Sequence, residues 1–190
     1  EVRQDLLRYG WVADARVSRR LPDTLVIELV ERRPVAVWQR AGRYTLVDRK
    51  GTQLPGVDPA ELPGLPVLAG DGVTGKIEEL EQLLAAAPAL RPQLAGASWV
   101  GRRRWDLRFR SGEVLSLPDD FERAKSAFAR FAELDGVNRL LGRGIRKFDM
   151  RMPNRFVLRP GREGDIGDLD LAPLRAGAAS PAPTGPSGGG

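Results

Sequence analysis

Two residue types that carry much of protein chemistry are missing from this chain: it has no cysteine and no histidine. Without cysteine there is no disulfide framework, no zinc ribbon and no thiol nucleophile. Without histidine the commonest general base and the commonest metal ligand are gone, which excludes Ser-His-Asp triads and histidine-based metalloenzymes. Lysine is scarce as well, with Lys50, Lys76, Lys125 and Lys147 the only four, so nearly all positive charge is arginine. Apolar runs are short, and none approaches the roughly 18–20 residues that span a bilayer. No signal peptide opens the chain. The first residue is Glu1 and Val2–Trp11 reads as the end of an element, so the expectation is a fragment whose targeting or anchoring segment lies upstream.

What is present suits a globular protein of one or two domains: 190 residues, 42% hydrophobic and 29% charged. The net charge of +5 would signal nucleic-acid binding if the arginines gathered on one face. Acidic residues are interleaved almost everywhere, which favours a solvated, arginine-biased surface.

Asp5–Trp11 reads as a short helical turn. Ala13–Arg20 and Leu25–Glu31 alternate with period 2 around Leu21-Pro22-Asp23, a hairpin signal. Arg32-Arg33-Pro34 breaks the pattern; Pro34 cannot donate to a ladder and marks a strand start or a boundary, and a domain junction is placed there. Val35–Trp38, Tyr44–Val47 and Thr52–Leu54 read as short strands, with a turn at Asp48–Gly51. Pro55–Gly72 is a Pro/Gly-rich connector without periodicity. Ile77–Ala87 carries the helical stripe Ile77, Leu80, Leu83 and Leu84. Trp99–Gly101, Trp105–Phe109 and Val114–Leu117 follow as strands. Asp119 and Asp120 cap a second helix reaching about Leu134, striped by Phe121, Ala124, Phe128, Phe131 and Ala132. Ile145–Arg151 and Arg155–Arg159 form a last hairpin around Pro153-Asn154. Ala176–Gly190 holds only Ala, Pro, Thr, Ser and Gly and is expected to be disordered. Strands outnumber helices and come as hairpins, which predicts an α+β class, antiparallel rather than a parallel nucleotide-binding sheet.

The candidate chemistry is thin. Gly70–Lys76 has the spacing of a phosphate-binding loop, but Ile77 stands where a Ser or Thr would ligate magnesium. Asp119 and Asp120 suit helix capping better than a catalytic pair. Asp165, Asp168 and Asp170 lack the glycine and distal glutamate of a calcium loop. Trp11, Trp38, Trp99 and Trp105 lie on strand or helix patterns as packing residues. Arg102-Arg103-Arg104 lacks interleaved aromatics for base stacking, whereas an acidic protein segment would need only charge complementarity. The final strand, Arg155–Arg159, is apolar and late in the chain. At a sheet edge it would offer unpaired backbone groups for strand addition by a partner.

Trp11–Trp38, with its Pro-Asp hairpin and Glu31-Arg32-Arg33-Pro34 junction, resembles the end of a POTRA domain in the cell division protein FtsQ/DivIB family. Leu46–Gly51, Leu65–Gly70, Arg104–Leu107 and the closing Phe148–Arg155 follow in the family's order, so the resemblance covers roughly residues 1–160. It implies the C-terminal part of a POTRA domain at 1–33, helix plus hairpin. A mainly antiparallel β domain with two helices would follow at 34–160, and a disordered tail at 161–190. It implies a bitopic inner-membrane protein whose membrane helix is absent here, with this portion periplasmic at the septum. Members are non-enzymatic scaffolds without cofactors that bind FtsB and, with it, FtsL; the POTRA part serves recruitment of other division components. Strand addition by FtsB carries over to Asp149, Arg151, Met152, Asn154, Arg155, Phe156, Val157, Leu158 and Arg159, and Arg103 is expected to face acidic partner residues. Some relatives carry aromatic anchors where Met152 and Pro160 stand here, with Phe156 the nearest substitute.

The alternatives are another POTRA-bearing envelope assembly or secretion component, for which repeated POTRA units or a membrane barrel would be expected, and a basic nucleic-acid-binding domain.

Overall fold

The computed structural model describes residues 2–58, 61, 64–153 and 155–161; the expected tail and Asp165, Asp168 and Asp170 lie outside the described residues. Helix α1 (Val2–Leu6) leads into β1 (Val12–Arg20) and β2 (Thr24–Glu31), a hairpin that forms a two-stranded sheet of its own. Its register places Ala15 opposite Leu29 and Val17 opposite Ile27, so the alternation read from sequence puts these apolar residues on one face.

The remaining strands make one nine-stranded sheet. They are β3 (Pro34–Arg40), β4 (Arg43–Asp48), β5 (Gln53–Leu54), β6 (Val67–Ala69), β7 (Leu94–Val100), β8 (Arg104–Phe109), β9 (Val114–Ser116), β10 (Ile145–Asp149) and β11 (Val157–Pro160). Their order is β11-β10-β9-β8-β7-β6-β3-β4-β5. Pro34 opens β3, the position its missing N–H tolerates. The sheet is mainly antiparallel, but β3/β6, β6/β7 and β9/β10 pair in parallel. This departs from the hairpins-only reading. Two strand–helix–strand units are present, β6–α2–β7 with α2 at Ile77–Ala85 and β9–α3–β10 with α3 at Phe121–Asn138. The first was hidden because β6 has three residues and sits inside a proline-rich stretch too short to show a period.

Handedness explains the layering. The chain moves one strand sideways in the same sense in both crossovers, and β7 and β9 run in the same direction. Right-handed crossovers therefore place α2 and α3 on the same face. The main core lies there, between Ile77, Leu80, Leu83 and Leu84 of α2, Ala124, Phe128, Phe131 and Leu134 of α3, and Leu68, Trp105, Leu107, Phe109, Leu115 and Phe148 of the sheet. Phe131 packs at 5.6 Å from Phe109 and 4.9 Å from Phe148, centroid to centroid. Burying each such ring contributes about 2–3 kcal/mol. Asp120 caps α3 as expected, its carboxylate accepting from Arg123 N–H at 2.9 Å. The helix outruns its predicted end and stops at Arg139, whose φ of 49° is left-handed.

On the opposite face, a smaller cluster of Val37, Leu46 and Leu54 is covered by Trp11, Val57, Leu65 and Val67. Here the N-terminal hairpin meets the large sheet. Arg32 Nη1 donates to Asp48 Oδ2 at 2.8 Å, and Trp11 Nε1 donates to Pro55 O at 2.7 Å. A Cβ on Gly10 would come within 2.8 Å of Pro55 Cδ, so this approach requires glycine. Burial alone would raise the Asp48 carboxyl, but the Thr52 N–H, the Arg32 guanidinium and the Lys50 N–H hold it below its ordinary value.

Candidate protein-binding edge

Among the described residues the closing hairpin ends the sheet, and β11 has no strand on its outer side. The loop before it is longer than the Pro-Asn turn expected. Strand β10 stops at Asp149 and β11 starts at Val157, so Arg155 and Phe156 lie before the strand. Asp149 is the cause. Its carboxylate accepts from Arg151 N–H at 3.1 Å and from the Arg151 guanidinium at 2.9 and 2.6 Å, a local turn that draws the chain out of the ladder. The Arg151 pair holds the Asp149 carboxyl below its ordinary range and raises the guanidinium further.

Register decides which backbone groups face outward. Met150 N–H donates to Ser116 O at 3.0 Å. The alternation of a strand then turns the amides of Phe148 and Met150 toward β9, and those of Lys147 and Asp149 toward β11. Lys147/Arg159 and Asp149/Val157 are therefore the hydrogen-bonded pairs of the hairpin, and Phe148 faces Leu158 in the pair without mutual hydrogen bonds. Val157 and Arg159 use their N–H groups on β10. The N–H and C=O of Leu158 point away from the sheet. Pro160 has no N–H, so Leu158 holds the only outward donor within β11.

Side chains alternate the other way. Leu158 and Phe156 pack against the core, with the Phe156 ring stacked on Phe148 at 5.9 Å and 6°. Phe156 thus anchors the hairpin internally. The exposed apolar groups are Met152, 60% accessible, and Val157, 41% accessible. Arg155 and Arg159 are also exposed. Asn154 lies outside the described residues.

Between the 150–155 loop and the first turns of α3 lies a cleft of about 360 Å³. Arg123, Arg130, Arg151 and Arg155 line it, with Glu122 the only acidic residue among the described ones and Met150 and Met152 supplying an apolar wall. The reading from sequence missed the α3 side of this cleft. Arg123, Ser126, Ala127 and Arg130 recur at the three- and four-residue spacing of one helical stripe, a polar stripe that only its position against the loop makes noteworthy. Arg103, on the β7–β8 turn, reaches the same end of the molecule. Its Nε lies 3.5 Å from Asp119 Oδ2, and Asp119 in turn acts electrostatically on Arg151.

The other candidates disperse. Lys76 of the glycine-rich loop binds Glu79 at 2.6 Å and lies 5.1 Å over the Trp99 ring. Arg102, Arg103 and Arg104 pair with Asp71, Asp119 and Asp106 respectively, which removes the concentrated charge a nucleic-acid site needs. Among the described residues no helix is long and apolar enough to cross a membrane.

Comparison with known proteins fits this architecture. The family described as "Cell division protein FtsQ/DivIB, C-terminal" matches residues 36–151, and "POTRA domain, FtsQ-type" matches residues 1–32. Proteins named cell division protein FtsQ are similar over most of this chain. That of Novosphingobium aromaticivorans is 50% identical over 166 residues, covering 87% of this chain and 52% of its own length. The Zymomonas mobilis protein is 53% identical over 152 residues, covering 80% and 48%. The Caulobacter vibrioides protein is 38% identical over 160 residues, covering 84% and 52%. The chain spans about half the length of these relatives. With a POTRA-type start, an α+β sheet domain and this similarity along both, the chain belongs to the FtsQ/DivIB family of cell division proteins.

Proposed function

We propose that this chain is a non-enzymatic scaffold of the bacterial division septum that captures an extended segment of an FtsB-like partner, with FtsL bound alongside, by strand addition to the outer edge of β11. The full protein would be a bitopic inner-membrane protein with this portion in the periplasm, and the N-terminal hairpin unit would recruit other division components. The observation that carries the reading is the outward-facing backbone of Leu158 on an edge strand that no other element covers among the described residues, beside the arginine-lined cleft. Main-chain hydrogen bonds would supply affinity there, and pockets for alternate side chains specificity. The cleft supplies positive charge to a segment carrying acidic residues, and Arg103 would add to it by exchanging its Asp119 contact for a partner carboxylate, which favours fast, salt-sensitive association.

The experiment is amide exchange and titration with the extracytoplasmic segment of the FtsB-like protein of the same organism. In the free protein the Leu158 amide should exchange fast and those of Val157 and Arg159 slowly. Bound partner should slow Leu158 selectively. Leu158→Pro should lose binding with the hairpin retained, as judged by unchanged protection of Lys147 and Asp149, whose amides face β11. Protection appearing elsewhere, with Leu158 still exchanging freely in the complex, would move the site off this edge.

A further inference from the structure

The face of the sheet turned away from α2 and α3 carries an unbalanced row of charge that ends at the β11 edge. Arg108 of β8 lies opposite Val114 of β9, Val114 opposite Lys147 of β10, and Lys147 opposite Arg159 of β11. Directly paired residues share a face, and Leu107, Leu115, Phe148 and Leu158 beside them point into the core. Arg108, Lys147 and Arg159 therefore stand in one line across four strands, with strands about 4.8 Å apart. No ion pair involves any of the three among the described residues. The next row on this face, Asp106, Ser116, Asp149 and Val157, holds both nearby carboxylates. Each has a close partner of its own: Asp106 lies 3.3 Å from Arg104, and Asp149 lies 2.6 Å from Arg151, with Lys147 acting on Asp149 only as the weakest of its influences. One row is neutral. The other is tricationic.

We infer that this basic row is a second contact surface for the segment added at β11, and that the segment is acidic on the helix-free face. The inference rests on the strand-addition reading. A strand beside β11 would place one residue in the row, next to Arg159. Because Leu158 makes the outward hydrogen bonds, an antiparallel strand would meet Arg159 in a pair without mutual hydrogen bonds, the closer of the two side-chain spacings. An Asp or Glu there meets Arg159 first, with Lys147 one strand further in. Residues of the partner that continue across the sheet face would reach Arg108. The residue facing Val157 in the neighbouring row meets an exposed valine and no uncompensated charge, so no acid is required at that position. The two rows together specify register: shifting the added strand by one residue would turn its acidic side chain to the other face.

The test compares four forms of the whole chain by titration with the same FtsB-like segment at low and moderate salt. They are wild type, Leu158→Pro, the triple variant Arg108→Gln/Lys147→Gln/Arg159→Gln, and a control with the same charge change elsewhere, Arg16→Gln/Arg19→Gln/Arg20→Gln. Exposed pairs act weakly one by one, so the triple variant is expected to bind about tenfold more weakly, with a flatter salt dependence. The control should bind like wild type. Equal binding by the triple variant and wild type, with Leu158→Pro still deficient, would overturn the row and leave strand addition standing. Equal loss in the control and the triple variant would reduce the effect to net charge and overturn it too. Binding of wild type, but not of the triple variant, to phosphatidylglycerol vesicles with partner affinity unchanged would reassign the row to a lipid surface. Absence of any wild-type binding would remove the strand-addition reading, and this inference with it.

Discussion

The two edges of the nine-stranded sheet are handled in opposite ways. At one end β5 has two residues, Gln53 and Leu54, and stops at Pro55. Trp11 donates to the Pro55 carbonyl, Gly10 packs against its ring, and Leu54 is almost wholly buried. A very short edge strand, a proline and a covering element are standard means of blocking further pairing. At the other end β11 has four residues, an outward N–H at Leu158, exposed Val157 and Arg159, and no covering element among the described residues. An edge left open beside one so thoroughly closed points to use. The hairpin unit lies at the closed end, so its junction also guards that edge.

The largest effect is expected at the foundation of the open end. Phe148 is fully buried, contacts the Phe131 ring and carries Phe156. Phe148→Ala should cost about 3–5 kcal/mol in urea unfolding and abolish partner binding by loosening the hairpin. At the closed end, Asp48→Ala removes the partner of Arg32 and the acceptor for the Lys50 and Thr52 amides. A loss of about 2–3 kcal/mol is expected, chiefly from buried groups left unpaired. Because the folded Asp48 carboxyl is held below its ordinary value, its contribution is complete above about pH 4 and disappears as pH falls through the lowered value. Urea midpoints of wild type and Asp48→Asn should therefore differ at pH 7 and converge at low pH. A constant gap across pH would assign the effect to packing.

Trp11→Phe tests the covering contact more gently. Losing the hydrogen bond to Pro55 should cost about 1 kcal/mol, with exchange at Leu54 accelerated and the β11 edge unchanged. The smallest stability effect is expected at the cleft. Met152→Ser and Arg155→Gln should shift unfolding by no more than about 0.5 kcal/mol, as exposed positions do, while weakening partner binding. A large stability loss there would mean that these residues support the hairpin rather than receive a partner.

Much of the architecture was readable where local signals were strong. The alternation in Ala13–Arg20 and Leu25–Glu31 became β1 and β2, Trp105–Phe109 lies within β8, and Asp120 caps α3 where a free carboxylate suits a helix start. The closing hairpin was legible as two strands but not in its details. The turn made by Asp149 and Arg151 shortened β10, and the phase of the ladder, which the local pattern does not contain, placed the outward amide at Leu158. Phe156, the one aromatic available as a free anchor, proved to be stacked inside. Strand β6 and the two parallel crossovers left no readable trace, since three residues carry no period and pairing partners lie far apart in the chain.

Sequence alone determined which chemistries this stretch of chain lacks the side chains for, and which segments bury a face. Missing histidine and cysteine remove whole chemistries wherever the residues end up, and hydrophobic periodicity is a local property of the chain. Tertiary structure alone decided which strand became an edge, which of its amides point outward, and which charges stand together. Arg108, Lys147 and Arg159 are separated by up to 51 positions in the chain and form a row only because β8 to β11 are neighbours in register. Pairing between distant strands depends on loop closure and on the packing of both sheet faces, quantities that no local window of residues contains.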